Sequence, residues 1–186
     1  MRPWEKESQI KRNKAWFLPR PKPDRYKGGM PLHCESWLLG MARDMLHNPM
    51  AEVLNLFCGM NQEGFRVDIN PDVDPDLVCD AHELSKHIGD RKFDIILADP
   101  PFSDEEAEEI FGTPKLNYSK WTLEATKVLN EGGLFIIYHK CLVPNPDPEI
   151  YRFLRRVFIG TRVWHVGRIA VYFEKKITDL CKIFGD

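Results

Sequence analysis

This 186-residue sequence has only five cysteines, and none of them form a Cys-x-x-Cys motif. The five are Cys34, Cys58, Cys79, Cys141 and Cys181. An odd number of thiols without metal-ligand spacing argues against a disulfide framework and against a zinc site. We therefore expect reduced thiols, a cytoplasmic location and no bound metal.

Long apolar runs are also missing. No stretch approaches the roughly 20 residues of a membrane-spanning helix, and the first residues lack the apolar segment of a secretory signal. No internal repeat is visible. The 43% hydrophobic and 29% charged residues are typical of a globular protein, and the length predicts one domain with a substantial core. We expect no association with a membrane.

The net charge of −2 conceals a separation of charge along the chain. Residues 1–30 hold nine Lys and Arg against three acids, and residues 150–176 hold seven against one. Residues 68–111 hold 14 acids against three bases. Basic flanks around an acidic middle fit a polyanion whose phosphates contact Lys and Arg beside a site. Basic tails without a partner are also common, so this pattern leaves both interpretations open.

Proline and basic residues mark the first 31 residues as an arm. The run 19–24 is proline-rich and basic, which predicts an extended segment rather than a packed one. Trp4, Trp16 and Phe17 lie among its charges and could stack on bases, although packing against the protein is the commoner use of such residues. We divide the chain into an arm at 1–31, a catalytic domain at 32–178 and a tail at 179–186.

Apolar periodicity predicts alternating helices and strands. Helices are expected at 34–47, 118–129 and 150–158, and strands at 51–58, 65–69, 76–79, 93–98, 134–139, 161–166 and 168–174. This alternation implies an α/β fold with a mostly parallel sheet covered on both faces. The last two strands flank a glycine and predict a C-terminal antiparallel hairpin. Residues 103–118 form a long acidic connection of the kind that often becomes a lid.

Distinctive residues follow four of the predicted strands. Gly59 follows the first strand, Asp68 ends the second, Asp80 ends the third, and Asp-Pro-Pro-Phe follows the fourth at positions 99–102. Because the carboxyl ends of parallel strands share one edge of the sheet, these residues should face one crevice. Acids at such strand ends can accept hydrogen bonds from ribose hydroxyls and from an adenine amino group. Each acid alone is most often a solvated turn residue, so the ordered set carries the prediction.

The two prolines end the fourth strand rigidly. Proline has no N–H group and a fixed φ, and it forces the residue before it into extended geometry. The sheet edge should therefore present the Asp99 carboxylate, a bare carbonyl at Pro100 and the ring of Phe102. Acceptors for an NH₂ group beside a stacking surface suit a planar, amino-substituted ring.

Together these features resemble the class I S-adenosylmethionine-dependent amino-methyltransferases, and the Asp-Pro-Pro-Phe sequence resembles the catalytic motif of DNA adenine-N6 methyltransferases. The resemblance covers roughly residues 26–174. It implies a Rossmann-like fold, S-adenosyl-L-methionine as cofactor, S-adenosyl-L-homocysteine as product and no metal. One feature departs from the family pattern: only residues 59–64 separate the first two strands, which is too short for a helical crossover. A shortened variant of the family carries Asp-Ile-Asn-Pro after the second strand, and residues 68–71 match it.

The resemblance also implies residue roles. In it, Asp99 and the Pro100 carbonyl accept hydrogen bonds from the two N–H groups of the amine while Phe102 stacks on the base. The implied catalytic residues are Asp99, Pro100, Pro101 and Phe102. The implied cofactor-binding residues are Lys27, Gly28, Met30, Asn55, Phe57, Gly59, Asp68, Asp80, Ala81 and Asp99. The candidates for substrate contact are Asn117, Tyr118, His139, Lys140, Arg155 and Arg156.

The expected substrate is an exocyclic amino group of a nucleic-acid base, with N6 of adenine in DNA ahead of other targets. Two alternatives are kept: an RNA base methylated at N6 of adenine or N2 of guanine, and a cofactor-binding subunit without chemistry of its own. DNA adenine enzymes usually carry a separate recognition domain, and no insertion here is long enough to be one. The protein would then act as a minimal enzyme, as a homodimer or with a separate recognition subunit.

Overall fold

One mixed sheet of eight strands organises the fold. The computed structural model describes residues 13–20, 29–103, 107–108, 115–161 and 166–177. The strands are β1 (Asn13–Phe17), β2 (Val53–Leu56), β3 (Phe65–Asp68), β4 (Leu77–Val78), β5 (Phe93–Ala98), β6 (Leu129–His139), β7 (Tyr151–Gly160) and β8 (Arg168–Lys175). The helices are α1 (Cys34–Met45), α2 (Leu84–Ile88) and α3 (Tyr118–Val128), with single 3₁₀ turns at Pro71–Val73 and Ala81–Glu83.

The strands lie in the order β1-β7-β8-β6-β5-β2-β3-β4. Neighbouring strands are parallel except for β8, which runs antiparallel to β6 and to β7. The predicted α/β fold, a mostly parallel sheet with a C-terminal antiparallel hairpin, is confirmed. The carboxyl ends of β2, β3, β4 and β5 therefore meet at one edge.

Burial on both faces explains why the central strands are continuously apolar. Along β5, Ile95 and Leu97 pack on the side covered by α1, whereas Ile96 and Ala98 pack on the side covered by α3. Trp121 of α3 is fully buried in the second of these two layers. A parallel strand covered on both faces has no solvent-facing positions, so its sequence loses the polar alternation of an exposed sheet.

The helix predicted at 150–158 is wrong, because these residues form strand β7. A bulge shifts the pairing of β7 with β8 between Phe153 and Arg155, which breaks the two-residue alternation at Leu154. The apolar residues then recur at spacings that resemble a helix. The predicted hairpin exists, but its strands are β7 and β8; neither residue 161 nor residue 166 is in a strand, and residues 162–165 lie outside the described part.

Part of the N-terminal arm packs into the sheet, ahead of the run 19–24 that is predicted to be extended. Strand β1 pairs in parallel with β7, and Trp16 and Leu18 are buried. The Trp16 ring meets that of Trp37 on α1 edge to face, with centroids 5.4 Å apart. Trp16 thus packs against the protein, whereas Phe17 is 84% exposed. Trp4 and residues 21–28 lie outside the described residues, and the division into arm, domain and tail stays a prediction.

Two further observations concern the described residues alone. No helix among them is both long and apolar enough to cross a membrane. Their cysteines are free thiols: Cys34, Cys58 and Cys79 are buried and Cys141 is exposed.

Candidate active site

A cleft opens at the carboxyl edge of β2–β5. It encloses about 970 Å³, counting the open solvent at its mouth. The predicted residues that line it are Met30, Phe57, Gly59, Asp68, Asp80, Ala81, Asp99, Pro100, Pro101 and Phe102. The structure thus brings together residues from four strand ends and from the segment before α1.

Asp68 shapes the turn that follows β2. The Gly59 N–H donates to Asp68 Oδ2 at 2.9 Å, and the Asn70 N–H donates to Asp68 Oδ1 at 3.0 Å. Gly59 has a φ of +47°, a left-handed conformation that glycine adopts without steric cost. Each carboxylate oxygen has two lone pairs, so Asp68 keeps capacity to accept from a ligand in the cleft.

Asp80 is tied through a histidine to the start of α3. Asp80 Oδ1 accepts from the His82 backbone N–H at 2.9 Å and lies 2.8 Å from His82 Nδ1. The Asn117 N–H donates to His82 Nε2 at 2.9 Å. Because Nε2 is an acceptor, the network assigns the ring hydrogen to Nδ1, which donates to Asp80. Sequence reasoning missed His82, since a histidine two residues after an acid has no distinctive pattern.

Glu35 of α1 holds the short link between β2 and β3. Its Oε1 accepts from Asn55 Nδ2 at 2.7 Å and from the Glu63 N–H at 2.9 Å. The Gln62 N–H donates to both carboxylate oxygens, at 3.1 and 3.2 Å. Burial raises the pKa of Glu35, and these hydrogen bonds oppose the shift. Asn55, a predicted cofactor contact, therefore lies behind the cleft lining and supports the link.

Arg66 of β3 holds the same link from the other side. Its guanidinium donates to the carbonyl of Asn61 at 2.7 Å and to that of Val73 at 2.8 Å. Gly64 closes the link against β2: with φ at +80°, a Cβ there would lie 2.6 Å from the Val53 carbonyl oxygen. The link thus takes a fixed shape without a helix of its own.

The Asp-Pro-Pro-Phe sequence forms the other wall of the cleft. The Asp99 N–H donates to the Leu56 carbonyl at 3.2 Å, so this residue continues the pairing of β5 with β2. Below it lie Cys34 and Tyr138, whose pKa values are raised by burial first and additionally by the Asp99 charge. The Asp99 carboxylate thus stands at the boundary between the apolar core and the cleft.

One aromatic and two cationic side chains lie beside the Phe102 ring. The His139 ring meets it edge to face with centroids 5.0 Å apart. Arg168 Cζ lies 4.6 Å and Lys140 Nζ lies 5.8 Å from its centroid. His139 and Lys140 were predicted as substrate contacts. Arg168 was missed, because the pairing of β8 with β6, which brings it here, is not visible from sequence.

The remaining predicted substrate residues have structural partners. Asn117 caps α3 by accepting the Lys120 N–H at 3.0 Å, and the Tyr118 hydroxyl donates to the Pro144 carbonyl at 2.7 Å. Arg155 extends toward Met41 Sδ at 3.8 Å on the α1 face of the sheet. Arg156 stacks on Phe153 at 4.3 Å on the opposite face, so the two arginines diverge. Lys27 and Gly28 lie outside the described residues.

The thiols beside the cleft are unreactive in character. Burial raises the pKa of Cys58 to about 12 and that of Cys79 to about 11. Within the described ranges, no group of three or more His, Cys, Asp or Glu side chains is arranged to hold a metal ion.

No protein-family profile and no curated protein sequence matches the chain. Solved structures do match. TrmN from Thermus thermophilus aligns with a TM-score of 0.52 at 17% identity, over 75% of this chain and 48% of TrmN, so this chain spans about half the length of TrmN. PH1948 from Pyrococcus horikoshii, to which RNA methyltransferase activity is attributed, aligns with a TM-score of 0.55 at 14% identity, over 88% of this chain and 95% of its own.

A third match carries a ligand. The N-methyltransferase NodS from Bradyrhizobium japonicum WM9, in complex with S-adenosyl-L-homocysteine, aligns with a TM-score of 0.54 at 12% identity, over 75% of this chain and 84% of NodS. Identities this low establish the fold alone. The chain has the Rossmann-like fold of the class I S-adenosylmethionine-dependent methyltransferases, as the sequence predicts.

Proposed function

We propose that the protein is an enzyme that transfers a methyl group from S-adenosyl-L-methionine to an exocyclic amino group of a nucleic-acid base, with N6 of adenine in DNA as the leading target. One observation carries the proposal: the Asp-Pro-Pro-Phe wall faces the same cleft as Asp68 and Asp80. A cofactor site and an amine-accepting edge thus share one cavity, which a transfer between them requires. We place this activity in the cytoplasm.

The cofactor half of the cleft suits an adenosine with an amino-acid tail. Asp68 is proposed to accept from the ribose hydroxyls, and Asp80 with the Ala81 backbone to contact the adenine. Gly59, Phe57 and Met30 would lie against the rest of the cofactor, with Lys27 and Gly28 beside the methionine moiety and Asn55 supporting the link. When bound, S-adenosylmethionine supplies an electrophilic methyl group and needs no metal.

The residues of the Asp-Pro-Pro-Phe wall are proposed to act on the amine. An aromatic amine is a weak nucleophile because its lone pair is delocalised into the ring. Asp99 and the Pro100 carbonyl accept its two N–H groups, which favours a tetrahedral nitrogen, and the Asp99 charge stabilises the positive charge that develops there. Pro101 fixes the direction of the chain, and Phe102 stacks on the base. A base inside a duplex cannot reach this wall, so it must be flipped or single-stranded.

RNA is the second candidate substrate, with N6 of adenine or N2 of guanine as the target. The match to PH1948 over most of both chains favours it. A non-catalytic subunit is the third reading, and an intact Asp-Pro-Pro-Phe wall argues against it. His139, Lys140, Asn117 and Tyr118 are proposed near the base, with Arg155 and Arg156 farther out, and a homodimer or a recognition subunit completes target selection.

The test is transfer of tritiated methyl groups to plasmid DNA, single-stranded DNA and total RNA in parallel. Nucleoside digestion and mass spectrometry then identify the product. We expect N6-methyladenine in DNA. Label in RNA alone would select the second candidate. Cofactor binding without label in any nucleic acid would remove the proposed reaction.

A further inference from the structure

Two positive charges converge on the ring that is proposed to stack on the base. Arg168 Cζ and Lys140 Nζ lie 4.6 and 5.8 Å from the Phe102 centroid. No carboxylate within the described residues forms an ion pair with either side chain. An anion bound beside this ring would be attracted by both charges.

The sheet register explains why these two cations meet. His139 pairs with Ile169 at the end of the antiparallel ladder of β6 and β8, so Lys140, which follows β6, and Arg168, which begins β8, lie at the same end of that ladder. Arg168 Nη1 donates to the Val166 carbonyl at 3.1 Å and to the Gly167 carbonyl at 3.4 Å. The guanidinium is thus fixed by its own chain through one nitrogen, and its Nε and Nη2 donors remain for a ligand.

The other arginines of β7 and β8 that the structure describes are engaged elsewhere. Arg152 pairs with Glu174, and Arg155 and Arg156 diverge to opposite faces of the sheet. Arg168 Cζ instead lies 4.6 Å from the ring centroid of Phe102, which ends the Asp-Pro-Pro-Phe wall. Of the arginines in the described part of β7 and β8, Arg168 is therefore the one against this wall.

We propose that Arg168 and Lys140 form an anion site for the backbone phosphate of the nucleotide whose base stacks on Phe102. A planar guanidinium matches two phosphate oxygens, and an ammonium adds a mobile point charge. This inference rests on the proposed function and narrows its substrate. The target is a nucleotide within a strand, and a free base or nucleoside would lack the phosphate that this site holds.

The test is a thermodynamic cycle that combines one side-chain substitution with the replacement of one phosphate linkage. The measured quantity is the dissociation constant of a labelled single-stranded oligonucleotide that contains one adenine. Its phosphates on the two sides of that adenine are replaced, one at a time, by neutral methylphosphonate. In the wild type, one replacement should weaken binding about 10-fold, in line with a charge-assisted hydrogen bond. Arg168→Gln should weaken binding of the native strand by a similar factor and should then be insensitive to that replacement.

Two further variants separate the charge from its geometry. Arg168→Lys keeps the charge but loses the planar guanidinium that can contact two phosphate oxygens, so it should lose less affinity than Arg168→Gln. Lys140→Met should show a smaller coupling to the same linkage. Arg91→Gln is the matched control, because Arg91 also lies 4.5 Å over a phenylalanine ring, that of Phe65, away from this wall. Its coupling to the linkage should be absent. Thermal melting of each variant reports whether it folds.

The outcomes distinguish this site from the proposed function. If the affinity losses from Arg168→Gln and from the neutral linkage simply multiply, the two changes are independent and the phosphate site is overturned. A wild type that binds no oligonucleotide would also overturn it. Equal kcat/KM for adenosine and for the same adenine in a strand would also overturn it. Coupled binding without methyl transfer would keep the phosphate site and remove the proposed reaction.

Discussion

The two walls of the cleft are built by different means. On the proposed cofactor side, carboxylates and a guanidinium hold backbone groups: Asp68, Glu35 and Arg66 together fix the link between β2 and β3. On the proposed substrate side, two cations lie beside the Phe102 ring instead. A fixed network suits a ligand that never varies, whereas a ring flanked by two cations suits the base and phosphate of one unit of a polymer.

The largest effect is expected from a variant that disrupts the proposed substrate wall alone. Asp99→Ala should lower methyl transfer by about 100-fold or more, since it removes a group that stabilises charge in the transition state. The affinity for S-adenosylmethionine, measured by calorimetry, should stay nearly unchanged. Loss of cofactor binding in this variant would mean that Asp99 belongs to the cofactor wall.

The next largest effect is expected from a variant that disrupts the proposed cofactor wall. S-adenosylhomocysteine at 100 times its dissociation constant should stabilise the wild type by about 2.7 kcal/mol through mass action. Asp68→Ala should remove most of that stabilisation, because the ribose acceptor is lost and the Gly59 N–H loses its partner. Melting with and without ligand measures both effects. An unshifted wild-type melting temperature at millimolar ligand would contradict the cofactor assignment.

A third variant probes how the cofactor wall is supported. Glu35→Ala leaves the N–H groups of Gln62 and Glu63 without their acceptor, which should cost about 1–3 kcal/mol of unfolding free energy. Cofactor affinity should fall with it, and Glu35→Gln should recover part of both. Urea unfolding gives the first quantity and calorimetry the second. Equal stability of the Ala variant and the wild type would show that the link holds its shape without α1.

The smallest effect concerns the outer charges. Reversal of Arg155 and Arg156 to Glu should weaken binding to all sequences alike, because phosphate contacts carry no base information. The log–log salt dependence should lose about 0.7 in slope for each phosphate contact removed from a single strand. Cofactor affinity is the control and should not change. A slope equal to that of the wild type would exclude these two arginines from the interface.

The sequence predicts those parts that depend on local pattern. Strand ends carrying Gly59, Asp68, Asp80 and Asp99 could be aligned because parallel strands share one edge, and the structure brings these residues to one cleft. Strand β7 could not be predicted, because the bulge at Leu154 interrupts its alternation. The arm's strand β1 was missed for another reason: its partner lies about 140 positions later in the chain.

The supporting residues of the site also escape sequence reasoning. Glu35 contacts a link 27 and 28 positions away, and His82 meets Asn117 across 35 positions. Such contacts depend on how α1 and α3 pack on the sheet, and no periodicity records them. The chemistry of a site is thus more visible in sequence than the means by which it is held.

Gly64 sets a limit on how this chain can change by mutation. A side chain there would meet backbone and would also strain a φ of +80°, whereas Gly89, at +65°, has nothing within 4 Å of an added Cβ. Gly89 combines this φ with a ψ of −135°, which lies outside the left-handed helical region that Asn and Asp tolerate. In a saturation library selected for folding, substitutions should therefore be lost at both positions and most completely at position 64, where a steric clash adds to the backbone strain. The link between β2 and β3, which has no helix of its own, is then a connection with little freedom to diverge.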